Sequence, residues 1–337
     1  MSKKNIIPIF VPHEGCPENC VFCNQKRITG IETTLSIDAM QKLIREQLRY
    51  FANEAPVEVA LYGGSFTALK QETQERFLEG IEPFIVSKDV ASIRISTRPD
   101  AINLSELEFL RIHHVRTIEL GIQSLDEEVL SGSRRGYHAD IVAPVAALIK
   151  RKGFELGLQQ MLGLPKDTLK KSVATARSLI AMEPNFVRIY PTLVIKDTPL
   201  ARAYSRGGYE PLSLEDAVVW LKTIMPLYDK AGIPVIRVGL QVTESINEGK
   251  DVLAGPFHPA LRELAETELL VERVIATVPT VKYGLSFRGP GRLISLLVGN
   301  KGCGRQRLET YYNMKIAFAF ADEGHLVADV DGKDVII

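Results

Sequence analysis

Short apolar, β-branched runs alternate with longer amphipathic stretches through residues 6–190. The runs fall at 6–11, 57–62, 93–97, 117–120, 155–161 and 186–190. Helical periodicity fills the gaps at 38–51, 70–84, 105–113, 138–152 and 167–182. Ser36-Ile37-Asp38 and Pro165-Lys166-Asp167 supply helix starts, and Gly163 and Pro165 break the strand before the second of these. A further helix is expected over 213–231, opening on Ser-Leu-Glu-Asp and closing at Gly232. Strand followed by helix, repeated, means parallel strands joined by helical crossovers. Six units are too few for a complete eight-unit barrel, and a doubly wound open sheet shows the same alternation. Every strand runs into a polar, Gly-rich or Arg-rich segment, at the end where parallel α/β folds place their chemistry.

Beyond residue 240 the pattern changes. Residues 241–259 are polar and loop-rich, 260–275 read as a helix, and 293–298, 316–321 and 326–328 read as strands. The expected organisation is a core over 1–240 and a smaller α+β extension over 241–337, with no internal repeat and no low-complexity linker. Basic and acidic residues balance at 41 each, so net charge selects no partner. No apolar run reaches membrane-spanning length. Reduced cysteines without a leader sequence point to the cytoplasm.

Cys16, Cys20 and Cys23 stand in Gly-Cys-Pro-Glu-Asn-Cys-Val-Phe-Cys-Asn, a C-x-x-x-C-x-x-C spacing. Three thiolates on one short loop can hold three corners of a four-iron cluster and leave the fourth iron open. Electron-transfer clusters normally take four cysteines, whereas an open metal position admits a substrate. The alternative is zinc, which usually pairs two C-x-x-C units or adds histidines; here only His13 and the distant Cys303 are available. Four cysteines in 337 residues make no disulfide framework, and the polar context argues against inert buried thiols.

The loop, with aromatic Phe22 just before its third cysteine, resembles the signature of the radical S-adenosylmethionine (SAM) enzymes. Other segments follow in the order that this family has. The strand at 57–62 runs into Gly63-Gly64-Ser65-Phe66, resembling the turn that binds the SAM amino group; many relatives carry an acid at the position of Ser65. Ser96-Thr97-Arg98-Pro99-Asp100 ends the next strand, and Arg98 and Asp100 read either as barrel-mouth residues or as a surface ion pair. Glu119-Leu-Gly-Ile-Gln123-Ser124 precedes Arg134-Arg135. The resemblance implies Gln123 on the ribose hydroxyls and Arg135, with Arg134 as alternative, on the SAM carboxylate. Gly163-Leu164-Pro165 closes the fifth strand, on which Gln159 stands where relatives often have an acid. Tyr190 lies in Ile-Tyr-Pro-Thr-Leu-Val-Ile, which ends the sixth strand.

The resemblance therefore implies a partial (β/α)6 barrel. It also implies a [4Fe–4S] cluster on Cys16, Cys20 and Cys23, and SAM held by Phe22, Gly63, Gly64, Ser65, Thr97, Gln123, Arg135, Gln159 and Tyr190. A low-potential electron donor reduces the cluster, SAM is cleaved to methionine and a 5′-deoxyadenosyl radical, and the radical takes a hydrogen atom from substrate. The more detailed likeness is to the radical SAM part of the elongator catalytic subunit and its small bacterial relatives, without the acetyltransferase domain. Coproporphyrinogen oxidases share the core, but their extra cysteine loop is absent here. Residues 274–308 hold Lys282, Arg288, Arg292, Lys301, Arg305 and Arg307 and no acid. Basic Gly-rich loops beside Tyr283 and Phe287 fit a phosphate backbone and stacked bases, so tRNA or another RNA is the leading substrate class. No DNA or membrane partner is expected. The alternatives are a small metabolite or tetrapyrrole substrate, and a non-catalytic cluster-binding or zinc-stabilised RNA-binding protein.

Overall fold

The computed structural model describes residues 4–11, 20–24, 27, 35–51, 55–240 and 250–337. The chain divides into two units, residues 1–213 with 224–257 and residues 214–223 with 258–337.

The first unit runs β1 (Asn5–Phe10), α1 (Ile37–Leu48), β2 (Val57–Tyr62), α2 (Gln71–Val86), β3 (Ser92–Thr97), α3 (Leu104–Ile112) and β4 (Val115–Gln123). It continues with α4 (Glu127–Gly132), α5 (Val142–Arg151), β5 (Glu155–Leu162), α6 (Leu169–Ala181), β6 (Phe186–Pro191), β7 (Val194–Ile195), α7 (Pro199–Ser205), α8 (Leu214–Lys230), β8 (Val235–Val238) and β9 (Val252–Ala254). The first ten residues of α8 cluster with the second unit. Seven strands pair in parallel in the order β1-β2-β3-β4-β5-β6-β8. This order decides what periodicity left open. A doubly wound sheet reverses direction at a switch point, and this one never does, so it is a singly wound, open partial barrel. The seventh strand, β8, goes beyond the six expected. β7 and β9 form a separate antiparallel pair.

Local chemistry fixes the helix starts. Ser36, Asn103, Asp126, Thr168 and Thr198 each accept a hydrogen bond from a first-turn amide of the following helix. Asp167, expected to open α6, instead braces the turn before it. Its carboxylate accepts from the Gly163 and Thr168 amides and from the Ser172 hydroxyl at 2.7–2.9 Å. Burial pushes Asp167 up to about 6 despite those donors.

Alternation along the strands separates two faces. Val59, Leu61, Ile93, Ile95, Ile118, Leu120, Leu156, Leu158, Val187 and Ile189 are buried on one. The other carries Glu58, Arg94, Thr117, Glu119 and Arg188, which bond to one another. Arg94 donates through Nε and Nη2 to Glu58 at 2.8 and 2.6 Å and through Nη1 to Glu119 at 2.8 Å. Arg188 pairs with Glu119 at 2.8 Å and donates to the Tyr62 hydroxyl at 2.6 Å. Phe186 lies on the same face, with the Arg94 guanidinium 4.8 Å from its ring centroid. Gly157 makes room for this ring: a Cβ there would lie 2.4 Å from it. On β1, Asn5 and Val11 donate their amides to β2-side carbonyls, so the even-numbered Pro8 faces the edge away from β2, where no strand pairs among the described residues, with no amide to offer.

The second unit holds α9 (Leu261–Thr277), β10 (Leu285–Gly289), α10 (Gly291–Val298), α11 (Cys303–Tyr312), β11 (Ala317–Phe320), β12 (Val327–Val330) and β13 (Lys333–Ile336). Its sheet has the order β11-β10-β12-β13. The strand expected at 293–298 is a helix. Pro290 and Gly299, the latter at φ 73°, bracket it, and Ile294 and Leu297 reach the core at helical spacing. The expected loop over 241–259 lies partly outside the described residues, and β9 falls within the rest.

Candidate functional site

The second half of the cysteine loop docks on the C-terminal side of the parallel strands. Val21 donates its amide to the Ser133 carbonyl at 3.1 Å and accepts from the Leu200 amide at 2.8 Å. Cys20 is buried, Cys23 is partly exposed, and Cys16 and His13 lie outside the described residues. Phe22 packs on Val194 and Leu200 on one side and on Val129, Met161 and Leu164 on the other, where Tyr190 joins it.

Two arginines converge on Cys20. Arg135 Nη1 donates to Cys20 Sγ at 3.2 Å, and Arg98 Nη1 lies 3.9 Å from the same sulfur. Arg135 also donates to the Gly121 carbonyl, and its buried Nε has no partner among the described residues. Arg98 forms a two-point ion pair with Asp100 at 2.9 and 2.7 Å, and its Nη2 donates to the Arg135 carbonyl at 2.5 Å. Both guanidiniums sit over the Tyr137 ring, 5.4 and 5.2 Å from its centroid. Arg98 is 3% exposed whereas Asp100 is exposed, so the expected ion pair is present but joins a buried guanidinium to a surface carboxylate.

The remaining expected residues fall into separate hydrogen-bonded groups along the strand ends. Gly63 and Gly64 have φ of 95° and 37°, and a Cβ on Gly63 would lie 2.5 Å from the Val11 carbonyl oxygen. The Ser65 and Thr97 hydroxyls are hydrogen-bonded at 2.8 Å, and Thr67 joins Thr97 at 2.5 Å. Gln123 is buried at φ 73°, a conformation unusual for a residue with a side chain. Its Oε1 accepts from Gln159 Nε2 at 3.2 Å. The Tyr190 hydroxyl accepts from Arg188 Nη1 at 3.5 Å.

Sequence reasoning missed the charged layer below this rim. Burial would lower the Arg188 pKa, but Glu119 and the neighbouring phenols hold it above the usual range. Burial, with Glu119 alongside, raises Tyr62, so its phenol stays protonated. The available signal was Arg94 and Arg188 inside strands that a parallel sheet normally makes apolar on both faces.

In the second unit two of the six basic residues expected to meet RNA are held by acids. Arg288 binds Glu323 and Asp334, Arg307 pairs with Glu268 and Glu272, and Arg305 sits 4.8 Å over Phe318. Phe287, expected to stack a base, is instead 1% exposed and belongs to the core of this unit. Tyr283 is exposed. His258 Nδ1 accepts the Ala260 amide.

The family model described as the radical SAM superfamily matches residues 10–179. The chain belongs to the radical SAM superfamily. A radical SAM C-terminal domain follows over 184–270. Radical SAM proteins normally bind a [4Fe–4S] cluster and SAM. Among similar proteins, the tRNA uridine(34) acetyltransferase of Methanocaldococcus jannaschii is 27% identical over 66% of this chain and 49% of its own length. Human elongator complex protein 3 is 27% identical over 65% of this chain and 43% of its own length. The chain spans about half the length of the curated relatives it matches. The solved Elp3 of Methanocaldococcus infernus superposes with a TM-score of 0.63 at 19% identity, covering 81% of this chain and 64% of that one. Coproporphyrinogen III oxidase of Escherichia coli superposes at 0.50 with 18% identity, covering 68% and 53%. These two likenesses speak for the radical SAM fold. Among the described residues no helix is long and apolar enough to cross a membrane.

Proposed function

We propose that this protein is a radical SAM enzyme acting on RNA, with tRNA as the substrate class. Cys16, Cys20 and Cys23 hold a [4Fe–4S] cluster, and SAM binds at the rim formed by Phe22, Gly63, Gly64, Ser65, Thr97, Gln123, Arg135, Gln159 and Tyr190. The observation that carries this reading is Arg135. One of its nitrogens is on Cys20, while its buried Nε has no acceptor among the described residues and is a donor that a guest carboxylate can satisfy. Bound together, cluster and SAM supply reductive cleavage of the sulfonium and a 5′-deoxyadenosyl radical.

The protein's own residues bind and orient. Arg135 offers Nε to the SAM carboxylate, a charge-assisted bond in a dry setting. Gln123 and Gln159, joined by one hydrogen bond, face the ribose hydroxyls. The Gly63-Gly64 turn brings backbone carbonyls close to the amino group. Phe22 and Tyr190, on their shared apolar cluster, exclude water beside the adenosine. Such positioning is the protein's share of cofactor chemistry. An external low-potential donor supplies the electron.

Support for tRNA comes from the tRNA uridine(34) acetyltransferases among the similar proteins more than from residues 274–308, where acids already hold Arg288 and Arg307. The second reading is a small metabolite or tetrapyrrole as substrate, favoured by the burial of Phe287, which removes one of the two rings expected to stack bases. The test is anaerobic reconstitution with iron and sulfide, then dithionite and SAM with and without bulk tRNA. The expected result is 5′-deoxyadenosine that increases with tRNA and disappears in Cys20→Ala. Formation indifferent to tRNA would overturn the substrate class, and its absence from a loaded cluster in both conditions would overturn the enzyme reading.

A further inference from the structure

Arg98 is built as carefully as Arg135, yet no SAM contact is assigned to it. Four of its five donor hydrogens have partners: Nε and Nη2 to Asp100, Nη2 also to the Arg135 carbonyl, and Nη1 toward Cys20 Sγ. It is almost wholly buried, and it stacks on the same ring as Arg135. Two guanidiniums so close repel one another. Asp100 offsets one of these charges, so the group of Arg98, Arg135 and Asp100 keeps a net positive charge beside one ligand sulfur. Arg98 grips the backbone carbonyl of Arg135 and so fixes where the Arg135 side chain begins.

We propose that Arg98 is a positioning residue that holds Arg135 on Cys20 and, with its own charge, raises the reduction potential of the cluster. The inference rests on the cluster assignment proposed above. Cluster potentials respond to hydrogen bonds at the sulfurs and to local charge and burial. One-electron reduction makes a cluster more negative. Positive charge held within about 4 Å of a ligand sulfur in a poorly screened setting therefore favours the reduced form. Arg135→Lys would disturb the proposed SAM carboxylate contact as well, whereas Arg98 has no SAM contact to lose.

The experiment is an EPR-monitored redox titration of anaerobically reconstituted full-length protein without SAM, comparing wild type, Arg98→Gln and Arg98→Lys, with iron and sulfide content measured on each sample. In Arg98→Gln the midpoint is expected to move to more negative potential. Arg98→Lys keeps the charge but cannot make the two-point bond to Asp100, so its midpoint is expected to fall between the other two. It also serves as the readable variant if Arg98→Gln fails to fold or to hold iron. Equal midpoints in all loaded samples, or a shift to more positive potential, would overturn the role of Arg98 while leaving the cluster assignment intact. A wild-type protein that takes up no four-iron cluster would overturn the assignment itself, and this inference with it.

Discussion

Arg94 joins two carboxylates on the polar face of the sheet, and removing it isolates only one of them. Glu119 keeps Arg188 at 2.8 Å, whereas Glu58 keeps only Lys4 at 3.3 Å and the Ser92 and Thr117 hydroxyls. In the intact protein burial would raise the Glu58 carboxyl, but the charges of Arg94 and Lys4 and the Thr117 hydroxyl hold it below its usual value. Its contribution to stability is therefore present at neutral pH and lost only as pH falls through that depressed pKa. In Arg94→Met the largest offset is gone and only Lys4 and the hydroxyls remain, so burial dominates and the carboxyl rises instead. The variant then carries a penalty at neutral pH that is relieved as pH falls through the raised pKa. Breaking a buried pair on one side costs about 3–5 kcal/mol. With a urea slope of about 3 kcal/mol/M, the unfolding midpoint should drop by roughly 1–1.7 M. Urea unfolding followed by circular dichroism at pH 7.5 and 5.5 measures this, and the gap between wild type and variant should narrow at the lower pH. Adding Glu58→Gln to Arg94→Met should recover most of the loss at pH 7.5. A loss below about 1 kcal/mol, equal at both pH values, would refute the reasoning, as would a Glu58→Gln change that adds to the loss.

Gly157→Ala places a Cβ 2.4 Å from the Phe186 ring and 3.0 Å from Glu119 Cγ, and overpacking of this kind should cost about 1–3 kcal/mol in the same urea assay. Gln123→Gly relieves a left-handed backbone and should stabilise the SAM-free protein by about 1 kcal/mol. The same change should weaken SAM binding roughly tenfold through the lost side-chain bond, as read by anaerobic equilibrium binding. Asp167, raised to about 6 by burial, opposes folding once ionised, so its penalty is absent in acid and appears as pH rises through that value. A carbon-13 NMR titration of its carboxyl should give a midpoint near that value, and a midpoint near 4 would contradict its burial.

Where the sequence was legible, the reason was alternation. The first six strands stand out because their apolar positions share one buried face, and several candidate site residues were legible as polar or Gly-rich segments at strand ends. β8 was hidden: it is four residues long and interrupted by Arg237, and its parallel pairing to β6 is visible only in three dimensions. The run Leu293-Ile-Ser-Leu-Leu-Val298 misled because six mostly apolar residues have no clear period; its end signals, Pro290 and Gly299, decided for helix. Residues 274–308 looked free because their acids lie elsewhere in the sequence. Glu268, Glu272, Glu323 and Asp334 reach Arg288 and Arg307 only in the folded unit. The convergence of Arg98 and Arg135 on Cys20 joins residues 78 and 115 positions apart, a separation that no local pattern spans.

A sheet that curls without closing leaves two seams, and a bare seam is a template on which another chain can add a strand. On β1 that hazard is reduced by one atom. Along its outward edge the backbone would present an amide at residue 8, and proline has none. An intruding strand loses the bond that would set its register there. Pro8 is exposed, so a change to alanine would leave the core untouched and still hand the seam back its missing donor. The cost of such a change would appear not in the folded monomer but in the crowded test tube, as concentration-dependent association through an edge that no strand among the described residues covers.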